Sequence, residues 1–189
     1  MPQSQEVPQL IAFAGSFASG KDTIAQYLVE TFNYHHVSTG DMVRLVAARE
    51  KGSVEREILN EVAQAYRKQH GAGFFVDLAV KEHPFPLLVS GLRSLGEAKK
   101  IKEHNGLLVF LDAPVKVRYE RMKARNRDRE SLKTLQEFAD FEAKEWYSGD
   151  DDSDFNMRGI RDMSDVVIDT TPDLEVLYKN FFMLITSQN

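Results

Sequence analysis

Short runs of consecutive apolar residues alternate along this chain with longer stretches in which apolar residues recur every three or four positions. LIAFAG (10–15), PLLVSG (86–91), GLLVFLDA (106–113) and DVVIDT (165–170) are of the first kind. Runs of that length, closed by glycine or a polar residue, predict strands buried on both faces, as in a parallel sheet. HHVST (35–39) reads as a further strand. Of the second kind is KDTIAQYLVETF (21–32), where Ile24, Leu28 and Phe32 mark one helical face. GDMVRLVAAREKG (40–52) predicts a helix stopped at Gly52, and Val54, Ile58, Leu59, Val62, Ala65 and Tyr66 predict another over 53–70. Helices are also expected over 73–83, 95–104, 115–125 and 174 to about 185. Strands alternating with helices predict an α/β fold: five strands in a mainly parallel sheet, helices on both faces, three layers in all.

Composition narrows the class without naming a chemistry. The 189 residues suit one domain, with a polar leader over 1–8 expected to fray. A formal charge of −5 gives no general attraction to nucleic acid or to anionic membranes, so an anion must be gripped locally. The absence of cysteine excludes disulfides and zinc–thiolate sites. No apolar run reaches the length of a membrane span, and MPQSQEVPQ lacks the charged and apolar regions of a signal peptide. A cytoplasmic protein with no membrane or nucleic-acid partner is the expectation.

The local grip is GSFASGKDT (15–23), between the first strand and the first helix. It follows the phosphate-loop pattern G-x-x-x-x-G-K-[ST] except that Asp22 stands where the hydroxyl belongs. Gly15 and Gly20 let the backbone around Ser16, Ala18 and Ser19 curl its N–H groups toward a phosphate, at the positive end of the helix that follows. Lys21 adds a point charge for the terminal phosphates. An ordinary glycine turn is the alternative, but strand, loop and helix in that order are the context the pattern requires. Asp22 offers a carboxylate where a magnesium ion on ATP expects a hydroxyl. PLLVSG, whose end often carries an aspartate in such loops, supplies Ser90 instead. The two oxygen types exchange places on this reading, with Thr23 as a further hydroxyl. The competing reading makes Asp22 simply an acidic residue favoured in a first helical turn.

GSFASGKDT, STGDMVR (38–44), SGLRS (90–94) and the arginine-rich RYERMKARNRDR (118–129) together resemble the nucleoside monophosphate kinases and dephospho-coenzyme A kinases. The resemblance runs in order over about 10–182 and is closest to the adenylate-kinase-related, dephospho-coenzyme A kinase-like group. It implies a P-loop kinase fold with small helical insertions: an acceptor-binding region over about 39–84 and a lid over about 121–160. It implies that Thr39 and Asp41 face the acceptor and that Arg44 and Arg93 bind the acceptor's phosphate. A guanidinium matches a phosphate bidentately and stays charged at any relevant pH. Ser38 or Thr39 as a helix cap explains the same segment structurally, and both explanations can hold together.

The resemblance also makes Lys21, Arg93, Arg121 and Arg125 the catalytic cations. Arg118, Arg121 and Arg125 share a helical face, with Arg127 and Arg129 beyond it, though a basic face is often merely solvated. Arg158 and Arg161 are further candidates for nucleotide contact. His35 and His36 read as structural or surface residues, and the acidic GDDDSD (149–154) as a solvated loop. The implied cofactors are ATP and Mg2+, and the implied partner is a small nucleotide acceptor. A nucleoside or deoxynucleoside monophosphate comes first and dephospho-coenzyme A second. A nucleotide-switched binding protein is the alternative from another class.

Overall fold

The computed structural model of the protein describes residues 7–125 and 134–186. Five strands form one sheet in the order β2-β3-β1-β4-β5. They are β1 (Leu10–Ala14), β2 (His35–Ser38), β3 (Leu87–Ser90), β4 (Leu107–Asp112) and β5 (Val166–Asp169), and every pairing is parallel. All five residues of β1 are buried, as its central place requires. One face of the sheet is covered by α1 (Lys21–Phe32) and α9 (Leu174–Thr186), around Ile11, Phe13, Leu28 and Phe181. The other face is covered by α4 (Phe74–Glu82), α5 (Leu95–Glu103) and α8 (Met157–Met163), around Ala12, Val89, Phe110 and Ile160. The three-layer α/β fold expected from the apolar runs is the one observed, and it agrees with the P-loop kinase fold that the resemblance implies.

Two smaller clusters stand off the sheet. Between β2 and β3, α2 (Thr39–Lys51) and α3 (Arg56–His70) pack with α4 around Val43, Ala47, Val62 and Phe75. After β4, α6 (Val115–Arg125) meets α7 (Leu135–Trp146) around Tyr119, Met122 and Phe138.

The apolar pattern misled at one strand and was silent over two helices. Residues 165–170 predict a strand apolar on both faces, yet β5 lies at the sheet edge and alternates buried and exposed, with Val167 46% exposed. Apolar spacing marks no element over 135–163, where α7 and α8 form; only the family resemblance implies a helical lid there, over about 121–160. The signal for α7 was present at its start. Thr134 accepts from the Glu137 N–H at 3.1 Å and Glu137 returns the bond to the Thr134 N–H, a reciprocal cap spelled T-x-x-E in the sequence.

Candidate active site

Parallel strands deliver their C-terminal ends to one edge, and the strand order reverses around β1, where ligands of open α/β sheets bind. The loop that leaves β1 at this edge closes on itself. Lys21 Nζ donates to the Gly15 carbonyl at 2.6 Å, to the Ser16 carbonyl at 2.7 Å and to Ser19 Oγ at 3.2 Å. Gly15 has φ +142°, and a Cβ there would overlap the Leu111 carbonyl oxygen of β4, so no other residue fits. Gly20 then opens α1 in a left-handed conformation. Ser16 and Ser19 are buried, and Ser16 Oγ finds no partner among the described residues. Phe17, at the tip of the loop, rests against Phe138 and Phe141 of α7 with ring centroids 5.9 and 6.4 Å away. Beside Ser16 a cavity of about 740 Å3 opens between β4, β5, α6 and α7, with Trp146 and Arg161 in its walls.

On the β3 side, register places Phe13 opposite Ser90, so Ser90 stands beside the start of the loop. Ser90 is buried, and its Oγ is 2.8 Å from His36 Nε2. Desolvation holds the His36 pKa below the ordinary imidazole value, while the carboxylates of Asp22 and Asp41 pull it upward. His36 and Ser90 are thus paired, with the Asp22 and Asp41 carboxylates acting on the imidazole through their charge. His36, read from the sequence as a structural or surface residue, is exposed on β2 and is a neighbour of Ser90, one of the candidate metal ligands. No local pattern marks it, because only the pairing of β2 with β3 brings it to Ser90. Among the described residues no group of three or more histidine or carboxylate side chains is placed to hold a metal ion.

Past Ser90, Gly91 has φ +89° and packs against the N-terminus of α2. A Cβ there would stand 3.1 Å from Thr39 Oγ1 and 3.4 Å from the Gly40 N. Ser38 caps α2 by accepting from the Asp41 N–H at 3.3 Å, and Arg44 Nη1 bonds Asp41 Oδ1 at 2.6 Å. That pair is exposed, so water competes with it and Arg44 remains able to exchange partners. The structure thus brings Thr39, Asp41, Arg44 and the β3–α5 turn that carries Arg93 to one place. The turn itself is fixed by Glu97, whose Oε2 accepts from the Arg93 N–H at 2.7 Å and from the Ser94 N–H at 3.1 Å.

The arginines of α6 divide. Arg118 is buried between α6 and α7, forked onto both carboxylate oxygens of Glu142, with Nε on the Ala113 carbonyl at 2.6 Å. It braces the two helices. Arg121 turns the other way and donates to the Thr170 carbonyl at 2.6 Å and to Thr170 Oγ1 at 3.0 Å. Thr170 Oγ1 in turn donates toward the Ser19 carbonyl, 2.9 Å away. A cavity of about 300 Å3 lies there, walled by Gly20, Thr23, Arg121, Thr170 and Leu174. Arg125 closes α6, and its side chain and all of Arg127 and Arg129 lie outside what the structure describes. Arg158 lies over the Tyr147 ring at 5.5 Å. In the acidic loop, Asp152 pairs with Lys99 at 2.6 Å and Asp151 accepts from Ser153. No helix among the described residues is long and apolar enough to cross a membrane.

Comparison with known proteins agrees with this geometry. A sequence model described as an AAA domain matches residues 14–137. The cytidylate kinase of Haloarcula marismortui is 33% identical over 165 residues, covering 82% of this chain and 79% of the relative. A UPF0200/UPF0201 protein of Archaeoglobus fulgidus is 27% identical over 177 residues, and the match spans 52% of that longer relative. Among solved structures, shikimate kinase from Acinetobacter baumannii in complex with shikimate superimposes with a TM-score of 0.61 at 17% identity, covering 98% of this chain and 96% of that one. At that identity the likeness speaks for the fold. With its phosphate loop, its five-stranded parallel sheet and these relatives, the chain belongs to the AAA domain family and, within the P-loop nucleoside monophosphate kinase-like superfamily, is a phosphotransferase.

Proposed function

We propose that the protein transfers the γ-phosphoryl group of ATP to the phosphate of a nucleoside or deoxynucleoside monophosphate. The observation that carries this reading is the contact of Gly91 with Thr39 and Gly40, which joins the two elements bearing Arg44 and Arg93 beside the phosphate loop. Two guanidiniums on touching elements suit an acceptor that is itself an anion. The name of the Haloarcula marismortui relative, cytidylate kinase, supports the same acceptor class.

In this reading Gly15, Ser16, Ala18, Ser19 and Gly20 enclose the donor phosphates with backbone N–H groups, and Lys21 exchanges the loop carbonyls for phosphate oxygens. The cavity beyond Gly20, with Arg121 on its wall, takes the nucleoside part of the donor. Thr39 and Asp41 line the acceptor pocket. An acceptor phosphate oxygen attacks the γ-phosphorus. A new P–O bond forms, the bond to the oxygen bridging the β- and γ-phosphorus breaks, and ADP leaves with that electron pair. Lys21, Arg93, Arg121 and Arg125 neutralise the charge spread over the transferring oxygens, which is most of what such a reaction requires. One carboxylate and two hydroxyls are hard oxygen donors of the kind magnesium accepts alongside water. Asp22, Thr23 and Ser90 would hold the ion, which when bound supplies further neutralisation of phosphate charge.

The test is an acceptor panel with ATP and magnesium: nucleoside and deoxynucleoside monophosphates, dephospho-coenzyme A, shikimate and gluconate. A monophosphate is expected to become the diphosphate with stoichiometric ADP. Phosphate appearing only on dephospho-coenzyme A or on a hydroxy acid would overturn the reading. So would an ADP yield that no acceptor raises above acceptor-free hydrolysis.

A further inference from the structure

Besides the partly buried pair of Arg118 and Glu142, a buried ion pair lies outside the phosphate chemistry. Arg67 on α3 is 5% exposed and Glu97 on α5 is wholly buried, and Arg67 Nη2 bonds Glu97 Oε1 at 3.0 Å. The other oxygen of the same carboxylate, Oε2, accepts from the backbone N–H groups of Arg93 and Ser94 and from Ser94 Oγ. One carboxylate therefore faces the acceptor-side helices with one oxygen and fixes the Arg93 turn with the other. Arg67 is poorly matched as a stabilising element, since Nε and Nη1 are buried with no partner among the described residues. A buried pair left under-satisfied in this way contributes little net stability, and the better-attested use of such pairs is to fix register.

The register in question joins two arms. α3 packs on α2, which carries Arg44, through Val43, Ala47, Val62 and Ala63. Glu97 holds the turn that carries Arg93. We propose that Arg67 is a positioning residue that, through Glu97, sets the separation between the Arg44 arm and the Arg93 arm of the acceptor clamp; this rests on the acceptor reading given above. Arg67 itself touches neither phosphate. Its guanidinium ties α3 to the cap of α5, so that a shift of the α2–α3 pair is transmitted to the backbone at Arg93 instead of opening the gap between them.

Two measurements test this, one independent of any acceptor. The sequence has no cysteine, so Leu45→Cys on the exposed side of α2 and Glu103→Cys at the end of α5 give a clean pair of spin-label sites. In that background Arg67→Met is expected to broaden the label–label distance distribution, and Arg67→Lys, which keeps a cation for Glu97, to stay closer to the parent. In the unlabelled protein Arg67→Met is expected to lower kcat/KM for the monophosphate by between about 10- and 100-fold, as a misplacement of around 1 Å does. The KM for ATP is expected to stay within about twofold, because the donor site is built on other elements. Arg67→Met combined with Glu97→Gln removes both buried charges and guards against simple unfolding; it is expected to melt near the parent yet remain slow with the acceptor.

An unchanged distance distribution in Arg67→Met overturns the proposal, whichever acceptor the protein uses. So does a broadened distribution with acceptor kcat/KM within twofold of the parent, or acceptor turnover in the double variant that recovers along with stability. If the parent phosphorylates no monophosphate, the functional reading falls, and the distance measurement alone then decides whether Arg67 holds the two arms in register.

Discussion

Lys21 donates to Gly15, Ser16 and Ser19 at once, so its ammonium is held inside the curl of its own loop. Phosphate oxygens are stronger acceptors for an ammonium than loop carbonyls, and nucleotide is expected to draw the side chain onto them. Replacing it with methionine keeps the length and removes the charge. Lys21→Met should reduce kcat by about 10²- to 10³-fold, the scale of losing one preorganised charge donor, as read by ADP formation under saturating ATP. Asp22 poses a narrower question. If its carboxylate serves the metal, Asp22→Asn should raise the magnesium concentration for half-maximal activity by about tenfold, because one unit of nearby charge is removed while the shape stays the same. An unaltered magnesium dependence would leave Asp22 as a residue favoured by the first helical turn and nothing more.

At the level of elements, α6 carries two arginines one turn apart that do different work. Arg118 is spent on Glu142, fastening α6 to α7, whereas Arg121 faces Thr170 across the opening of α1. Arg121→Met should therefore raise the KM for ATP, by about tenfold for the loss of a charge-assisted contact, while leaving the acceptor KM within about twofold. The kcat should fall as well, and a kcat within twofold of the parent would remove Arg121 from the cations proposed to act on the transferring oxygens. Helix α7 begins at the reciprocal cap of Thr134 and Glu137, both exposed. Thr134→Ala should destabilise the protein by about 1 kcal/mol, read as a fall of about 2–4 °C in Tm. A fall in activity without any change in Tm would instead point to a role for that cap in the reaction.

For the whole molecule, the sheet edge that gathers the phosphate loop, the β3–α5 turn and the end of β5 is where a nucleotide would join otherwise separate elements. A ligand bound by the native state alone stabilises it by mass action. ATP at about a hundred times its Kd should add about 2.7 kcal/mol and raise Tm by roughly 5–10 °C. Lys21→Met should lose most of that rise. A flat thermal response to ATP in the unaltered protein would sink the nucleotide site as described.

Local pattern set the phosphate loop and the elements other than α7 and α8. Continuous apolar runs produce β1, β3 and β4 because a strand covered on both faces has no side to leave polar. Glycine at 15 and 20 with lysine at 21 specifies the loop, because backbone curvature and a point charge are properties of adjacent residues. What pattern left open are relations between residues far apart in the chain. Residues 165–170 look like an interior strand, and only their place at the edge of the sheet exposes Val167. His36 meets Ser90 across 54 positions, and Arg67 meets Glu97 across 30. Arg118 and Arg121 look alike in sequence and are told apart by what each touches. Such pairings arise from strand order and helix packing, which bring together side chains that no window along the chain contains. The proposed acceptor clamp belongs to this second kind: Arg44 and Arg93 are legible as candidates in the sequence, and only the packing of Gly91 against Thr39 makes neighbours of the elements that carry them.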